Sequence, residues 1–212
     1  MKVVKPSFEI LYPANAVEWY RELQLIELAG RTAYKSEDKI DANSHIDFIK
    51  KIKTRNHGAV LEFGNMVVKF ITDRGITHEL VRHRLCSFLQ ESTRYCNYSQ
   101  DKFGNEITVI QPSNLGNDGG DATKFWQDSC EKAEKEYLSM IRNGISPQTA
   151  RSILPTCTKT EIVVKANFRE WLHIFDLRVL GKTGKPHPDM LRLLSPLYEN
   201  LKKKCPYLWG EV

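Results

Sequence analysis

Between His78 and Tyr95 the chain reads HELVRHRLCSFLQESTRY, its densest run of chemistry-bearing side chains. Three arginines, two histidines, two glutamates and two serines fall within it, and no lysine does. Arginine without lysine favours planar, two-pronged recognition of phosphate or carboxylate. A solvated helix end making local salt bridges would show the same composition, so both readings stay open on these residues alone. A zinc reading fails on spacing. His78 and His83 stand at i and i+5, which is about 140° around a helix, whereas paired zinc histidines stand at i and i+4. No third ligand stands at suitable spacing, and no metal site is expected.

The elements that must carry these groups follow from periodicity. Residues 15–35 and 44–55 have apolar positions at three- and four-residue spacing and predict amphipathic helices, the second with Ser44 as N-cap and Gly58 just past its end. Residues 59–73 predict a strand, punctuated by Gly75. Residues 76–85 predict a short helix, and 87–99 an irregular loop leading into a strand. The stretch 111–121 is the most loop-like of the chain. A long helix over 122–143 ends at Gly144, and another runs from Pro147 to just before Pro155. Residues 160–168 predict a strand, 167–180 a helix, and 188–205 a last helix with basic residues in its final turn. The expected fold class is α+β, a single domain over 1–212 with its strands in one central sheet and helices packed on it.

Composition removes several classes. With 212 residues, 41% hydrophobic and 27% charged, the chain is neither disordered nor fibrous. No apolar run nears the roughly 18 residues that span a bilayer, and the N-terminus lacks the apolar core of a secretion signal. Five cysteines without a Cys-x-x-Cys pair fit a reduced, cytoplasmic protein. A net charge of +5 is mild, and suits phosphate-bearing small ligands as well as it suits nucleic acid.

Arg82-His83-Arg84, seven residues, Ser92 and then Arg94-Tyr95 resemble the signature of the flavin-dependent thymidylate synthases. His57-Gly-Ala-Val-Leu-Glu62 upstream, and Ala150-Arg151-x-x-Leu154-Pro155, Asn167-x-Arg169 and Leu177-Arg178 downstream, are similar to further elements of that family in the same order. The resemblance implies that family's fold, with a mostly antiparallel sheet. It also implies reductive methylation of dUMP to dTMP, with methylenetetrahydrofolate as one-carbon donor and FAD reduced by NADPH. A homotetramer with sites shared between subunits follows, with no nucleic-acid or membrane partner.

Residue by residue, the resemblance assigns dUMP binding to Glu79, Arg82, Gln90, Glu91, Ser92, Thr93, Arg94, Arg151 and Arg178. It assigns flavin binding to His57, Arg82, His83, Arg84, Gln90, Asn167, Phe168, Arg169 and His173. Arg178 is the catalytic candidate, because a permanent cation beside uracil favours ionisation at N3 and makes C5 more nucleophilic. Many family members carry Gln, Glu and His where Glu79, Gln90 and Phe63 stand here, and a serine where Ala33 stands. Two rivals are weighed. A cysteine-dependent thymidylate synthase would use Cys157 as nucleophile, but Thr158 stands where that site has histidine. A basic RNA-binding module would need strand-borne aromatics among the cations, and only Phe88 and Tyr95 are present.

Overall fold

The computed structural model describes residues 1–116 and 120–210. Residues 117–119 of the predicted loop, and the last two residues of the predicted 1–212 domain, lie outside the described residues. The chain opens with β1 (Lys2–Val4) and β2 (Ser7–Tyr12), neither among the expected elements, although Phe8, Ile10 and Tyr12 alternate along β2. Helix α1 (Ala16–Tyr34) follows, capped by the Asn15 side chain accepting from the Glu18 N–H, and then α2 (Ser44–Thr54). Asn43, not Ser44, holds the N-cap position of α2.

Strict alternation builds the two long strands. In β3 (Asn65–Asp73) Met66, Val68, Phe70 and Thr72 are buried. Between β3 and the second long strand come α3 (Arg74–Leu80), β4 (Ser87–Gln90), β5 (Thr108–Ile110), α4 (Asp121–Arg142) and the one-turn α5 (Pro147–Ala150). In β6 (Lys159–Asn167) Thr160, Ile162, Val164 and Ala166 are buried. Helices α6 (Phe168–Arg178), α7 (Pro188–Lys204) and α8 (Pro206–Trp209) complete the order. The α+β expectation holds, with an antiparallel sheet of order β2-β3-β6-β4. A second, two-stranded sheet pairs β1 with β5 in parallel, so the strands do not all join one sheet.

Further local expectations fail, among them the helix from Pro147, which ends as α-helix at Ala150 and continues as a 3₁₀ turn over Arg151–Ile153. Residues 58–63 form 3₁₀ turns, not strand, because only Leu61 of that apolar run is buried and no alternation is sustained. The helix over 76–85 stops at Leu80: the bonds shorten from Val81 N–H to Thr77 O into three-residue steps at Arg82 and Cys86. Arg82 and Arg84 are exposed there and His83 between them is buried. The predicted loop at 87–99 begins instead with β4, a four-residue edge strand, short as edges tend to be.

Two compact units make up the chain. One consists of Met1–Ser7, Phe70–Arg82 and Leu89–Ile162, the other of Phe8–Lys69, His83–Phe88 and Val163–Val212. The first has a core of Tyr98, Ile107, Val109, Cys130, Tyr137 and Ala150. In the second, Phe168 is wholly buried, with ring centroids 5.8 Å from Trp19 and 5.2 Å from Trp209, and Trp171 stacks on Phe175. Burial of each such aromatic side chain contributes about 1.5–3 kcal/mol.

Candidate active site

In the first unit, the segment after β4 is fastened from several directions. Arg74 Nη2 donates to the Glu91 carbonyl at 2.8 Å, and the Glu91 N–H donates to the Glu161 carbonyl at 2.8 Å. The Gln90 amide nitrogen donates to the hydroxyls of Thr77 and Thr160, at 3.1 and 3.2 Å. Both threonines are buried, so the amide is fixed and its carbonyl end is set as an acceptor. The Glu91 carboxylate accepts from the Tyr98 hydroxyl at 2.9 Å and from Lys159 Nζ at 3.3 Å. Tyr98 is held well above its ordinary pKa, first by burial and then by that carboxylate. Glu91 therefore anchors the loop with its side chain.

Beyond it the chain turns on itself, with the Ser92 carbonyl accepting from the Tyr95 and Cys96 N–H groups. The Ser92 hydroxyl accepts from the Arg94 N–H at 3.3 Å. Buried Thr93 accepts from Arg151 Nη1 at 3.2 Å, and Arg94 Nε donates to Gln148 at 2.8 Å. Gln90 to Arg94 and Arg151 are thus brought together across 58 residues of sequence. Two exposed guanidinium groups and a hydroxyl on a tight turn are donors of the kind that suit a phosphate-sized anion. Glu79, half-buried on α3, and Arg82, exposed just past its end, belong to the same unit.

The remaining predicted residues lie in the second unit. Asn167 caps α6, its side-chain oxygen accepting from the Glu170 N–H at 2.8 Å. Phe168 places its whole side chain in the core and donates its N–H to the Gly64 carbonyl, which leaves neither for a ligand. Arg169 and His173 are exposed on α6, and Arg169 Nη1 meets the Glu62 carboxylate at 2.6 Å. His57 and Arg84 are exposed. His83 is buried, and its Nε2 accepts from Arg178 Nε at 3.2 Å. Burial, followed by the charges of Arg178 and His173, holds the His83 pKa down to about 4.

A cavity of about 810 Å³ opens in this unit, lined in part by Lys53, Asn56, Gly58, Arg169, His173 and Trp209. That is large enough for a dinucleotide-sized ligand. The Trp209 indole N–H is buried without a hydrogen-bond partner among the described residues. Gly58 lies against Arg169: a Cβ on it would stand 3.1 Å from Arg169 Nε, so that side chain would have to shift by a few tenths of an ångström. Cationic Lys53 and Arg169, an apolar floor and an unsatisfied donor match the chemistry of an anionic, aromatic cofactor, so the residues present fit a flavin nucleotide. Periodicity gives no sign of Thr77, Thr160, Glu62 or Lys53. Gly58 and Glu62 stand in the His57–Glu62 element read from the sequence, and Thr77, Thr160 and Lys53 carry no such signal.

Cys157 lies in the first unit, with its sulfur 3.5 Å from that of Cys130. Hydrogen bonding from Cys130 pulls the Cys157 thiol down and raises its partner.

The family model described as "Thymidylate synthase complementing protein" matches residues 17–207. The chain belongs to this family. A flavin-dependent thymidylate synthase of Corynebacterium efficiens is 30% identical over 94% of this chain and 84% of its own length. The protein of the same name from Corynebacterium glutamicum is 32% identical over 82% and 78%. Among solved structures, a UMP/dUMP methylase PolB from Streptomyces cacaoi bound with 5-Br dUMP superposes with a TM-score of 0.79, at 19% identity. It covers 99% of this chain and 95% of that one, and that likeness bears on the fold alone. The resemblance read from Arg82-His83-Arg84 and its companions is the family found, and neither rival reading corresponds to it. Among the described residues, no helix of this thymidylate synthase complementing protein family member is long and apolar enough to cross a membrane.

Proposed function

We propose that the chain is a flavin-dependent thymidylate synthase that converts dUMP to dTMP, with methylenetetrahydrofolate as carbon donor and NADPH as reductant. The observation that carries this reading is the fastening of the Gln90–Arg94 loop to Arg151 through buried Thr93, which fixes the loop's donors relative to one another. Ser92, Arg94 and Arg151 hold the nucleotide phosphate, with Arg82 beside them. Gln90 presents an amide fixed by Thr77 and Thr160 to the pyrimidine. Glu79 completes the dUMP set.

FAD, when bound, supplies the hydride that NADPH replenishes. Arg169 and Lys53 hold its phosphates, with His57, Arg84 and His173 around it. Arg178 stands against the uracil, where its permanent charge lowers the N3 pKa and raises the electron density at C5. Ser92 binds and orients and does not attack. Cys157 packs. The enzyme works in the cytoplasm as a homotetramer whose sites draw residues from more than one subunit.

The test is flavin binding. Purified protein titrated with FAD should quench flavin fluorescence and retain a yellow chromophore after desalting. A protein that binds no FAD at any concentration defeats the reading.

A further inference from the structure

His83 stands 5% exposed, with both ring nitrogens turned to groups of its own unit. Nε2 is 3.2 Å from Arg178 Nε, and Nδ1 is 3.7 Å from Glu170 Oε1, close enough for attraction and too long for a hydrogen bond. The His173 ring meets the His83 ring edge-on, with centroids 6.2 Å apart. An arginine Nε always carries hydrogen, so the nitrogen it points at must offer a lone pair. The single hydrogen of the neutral ring then sits on Nδ1, facing Glu170.

We propose that His83 is a positioning residue for the reaction: its Nε2 lone pair holds Arg178 Nε and so fixes where the guanidinium meets the uracil. The inference rests on the reading of Arg178 given under Proposed function. It also revises the assignment of His83 as a flavin ligand, because Nε2 is spent on Arg178 and the buried Nδ1 faces a carboxylate. An arginine anchored only by its flexible stem loses rotamer freedom when it engages substrate. One already tied at Nε has lost that freedom beforehand, which is how preorganisation lowers a barrier. A depressed His83 pKa agrees with the neutral ring that this arrangement requires. The buried carboxyl of Glu170 is itself raised by burial, and its place opposite Nδ1 suits the same tautomer.

Two variants and one spectrum test this. His83→Phe keeps the ring's bulk and removes the acceptor, and His83→Gln returns a carbonyl acceptor near the position of Nε2. With FAD, dUMP, methylenetetrahydrofolate and NADPH, His83→Phe should lower kcat by about tenfold or more. FAD affinity should stay within about twofold of the wild-type value. His83→Gln should recover most of the lost turnover, which a merely structural ring would not allow. Should His83→Phe fail to fold, His83→Asn withdraws the acceptor with a smaller change.

Independently of turnover, ¹⁵N NMR of the His83 ring in the FAD-loaded protein should show Nδ1 protonated and Nε2 bare. The opposite tautomer, or normal kcat in a folded variant lacking the acceptor, overturns the proposal. So does loss of FAD binding in both His83→Phe and His83→Gln, which would return His83 to the flavin. A wild-type protein that makes no dTMP yet shows the expected tautomer would defeat the assigned function and leave the Arg178–His83 pairing standing.

Discussion

At the scale of single residues, charge placement decides what each group can do. His83 titrates near pH 4 in the folded protein against an ordinary value of 6.5. Between those values the unfolded chain holds the extra proton, so stability falls as the pH drops from 6.5 towards 4 and stays constant above. The full loss is of order 3 kcal/mol, from about 1.4 kcal/mol for each pH unit. Glu170 acts the other way: its raised carboxyl pKa makes the folded state the better proton binder near the carboxylate range. Denaturant midpoints of wild type and His83→Gln at pH 7 and pH 5 should separate the two. The variant should lose less stability on acidification, and an identical loss would show that His83 does not hold its neutral form. Arg178→Lys keeps the charge and loses the planar fork and the Nε–His83 bond. Turnover with dUMP should fall about tenfold or more, roughly 1.4 kcal/mol in the barrier, with flavin content unchanged. Unchanged turnover would remove Arg178 from catalysis.

At the scale of elements, α6 carries Arg169, His173 and Arg178 over two and a half turns, and its start depends on the Asn167 cap. Asn167→Ala should cost about 1 kcal/mol of stability and weaken FAD affinity, while Asn167→Asp should retain both, as read by thermal melts and flavin titration. Equal behaviour of the two variants would show that the cap does not govern the helix. This helix was legible from its 3.6-residue apolar pattern, without its Asn167 cap, and β3 and β6 because their alternation is sustained. Strand β4 was not, since four residues at a sheet edge bury too little to impose a period. Strand β1 was too short for any pattern, at three residues. The Arg82–Arg94 cluster was visible in composition. Its supports were hidden, because Thr77 and Thr160 meet Gln90 from 13 and 70 residues away, and such pairs leave no periodic trace. Phe168, a flavin residue by the resemblance, has its side chain in the core, a burial that the sequence pattern did not single out.

At the scale of the whole molecule, Arg151 and Arg178 belong to different units of the chain. Under the shared-site proposal they reach a given dUMP from different subunits. Arg151→Ala and Arg178→Ala should each be nearly inactive alone and regain activity when co-expressed, because some mixed sites contain both arginines. The double variant in one chain should stay inactive. Continued inactivity of well-formed mixed tetramers would place both arginines on one chain. The chemistry itself is tested most directly by dTMP formation from dUMP, methylenetetrahydrofolate and NADPH, assayed with and without FAD in wild type and Cys157→Ala. Cys157 contacts Cys130 in the packed interior of the first unit, so its removal should cost only about 1 kcal/mol of stability. Both proteins should form dTMP, and only when FAD is present. FAD-independent dTMP formation that disappears in folded Cys157→Ala would contradict a flavin mechanism and point to a cysteine nucleophile instead.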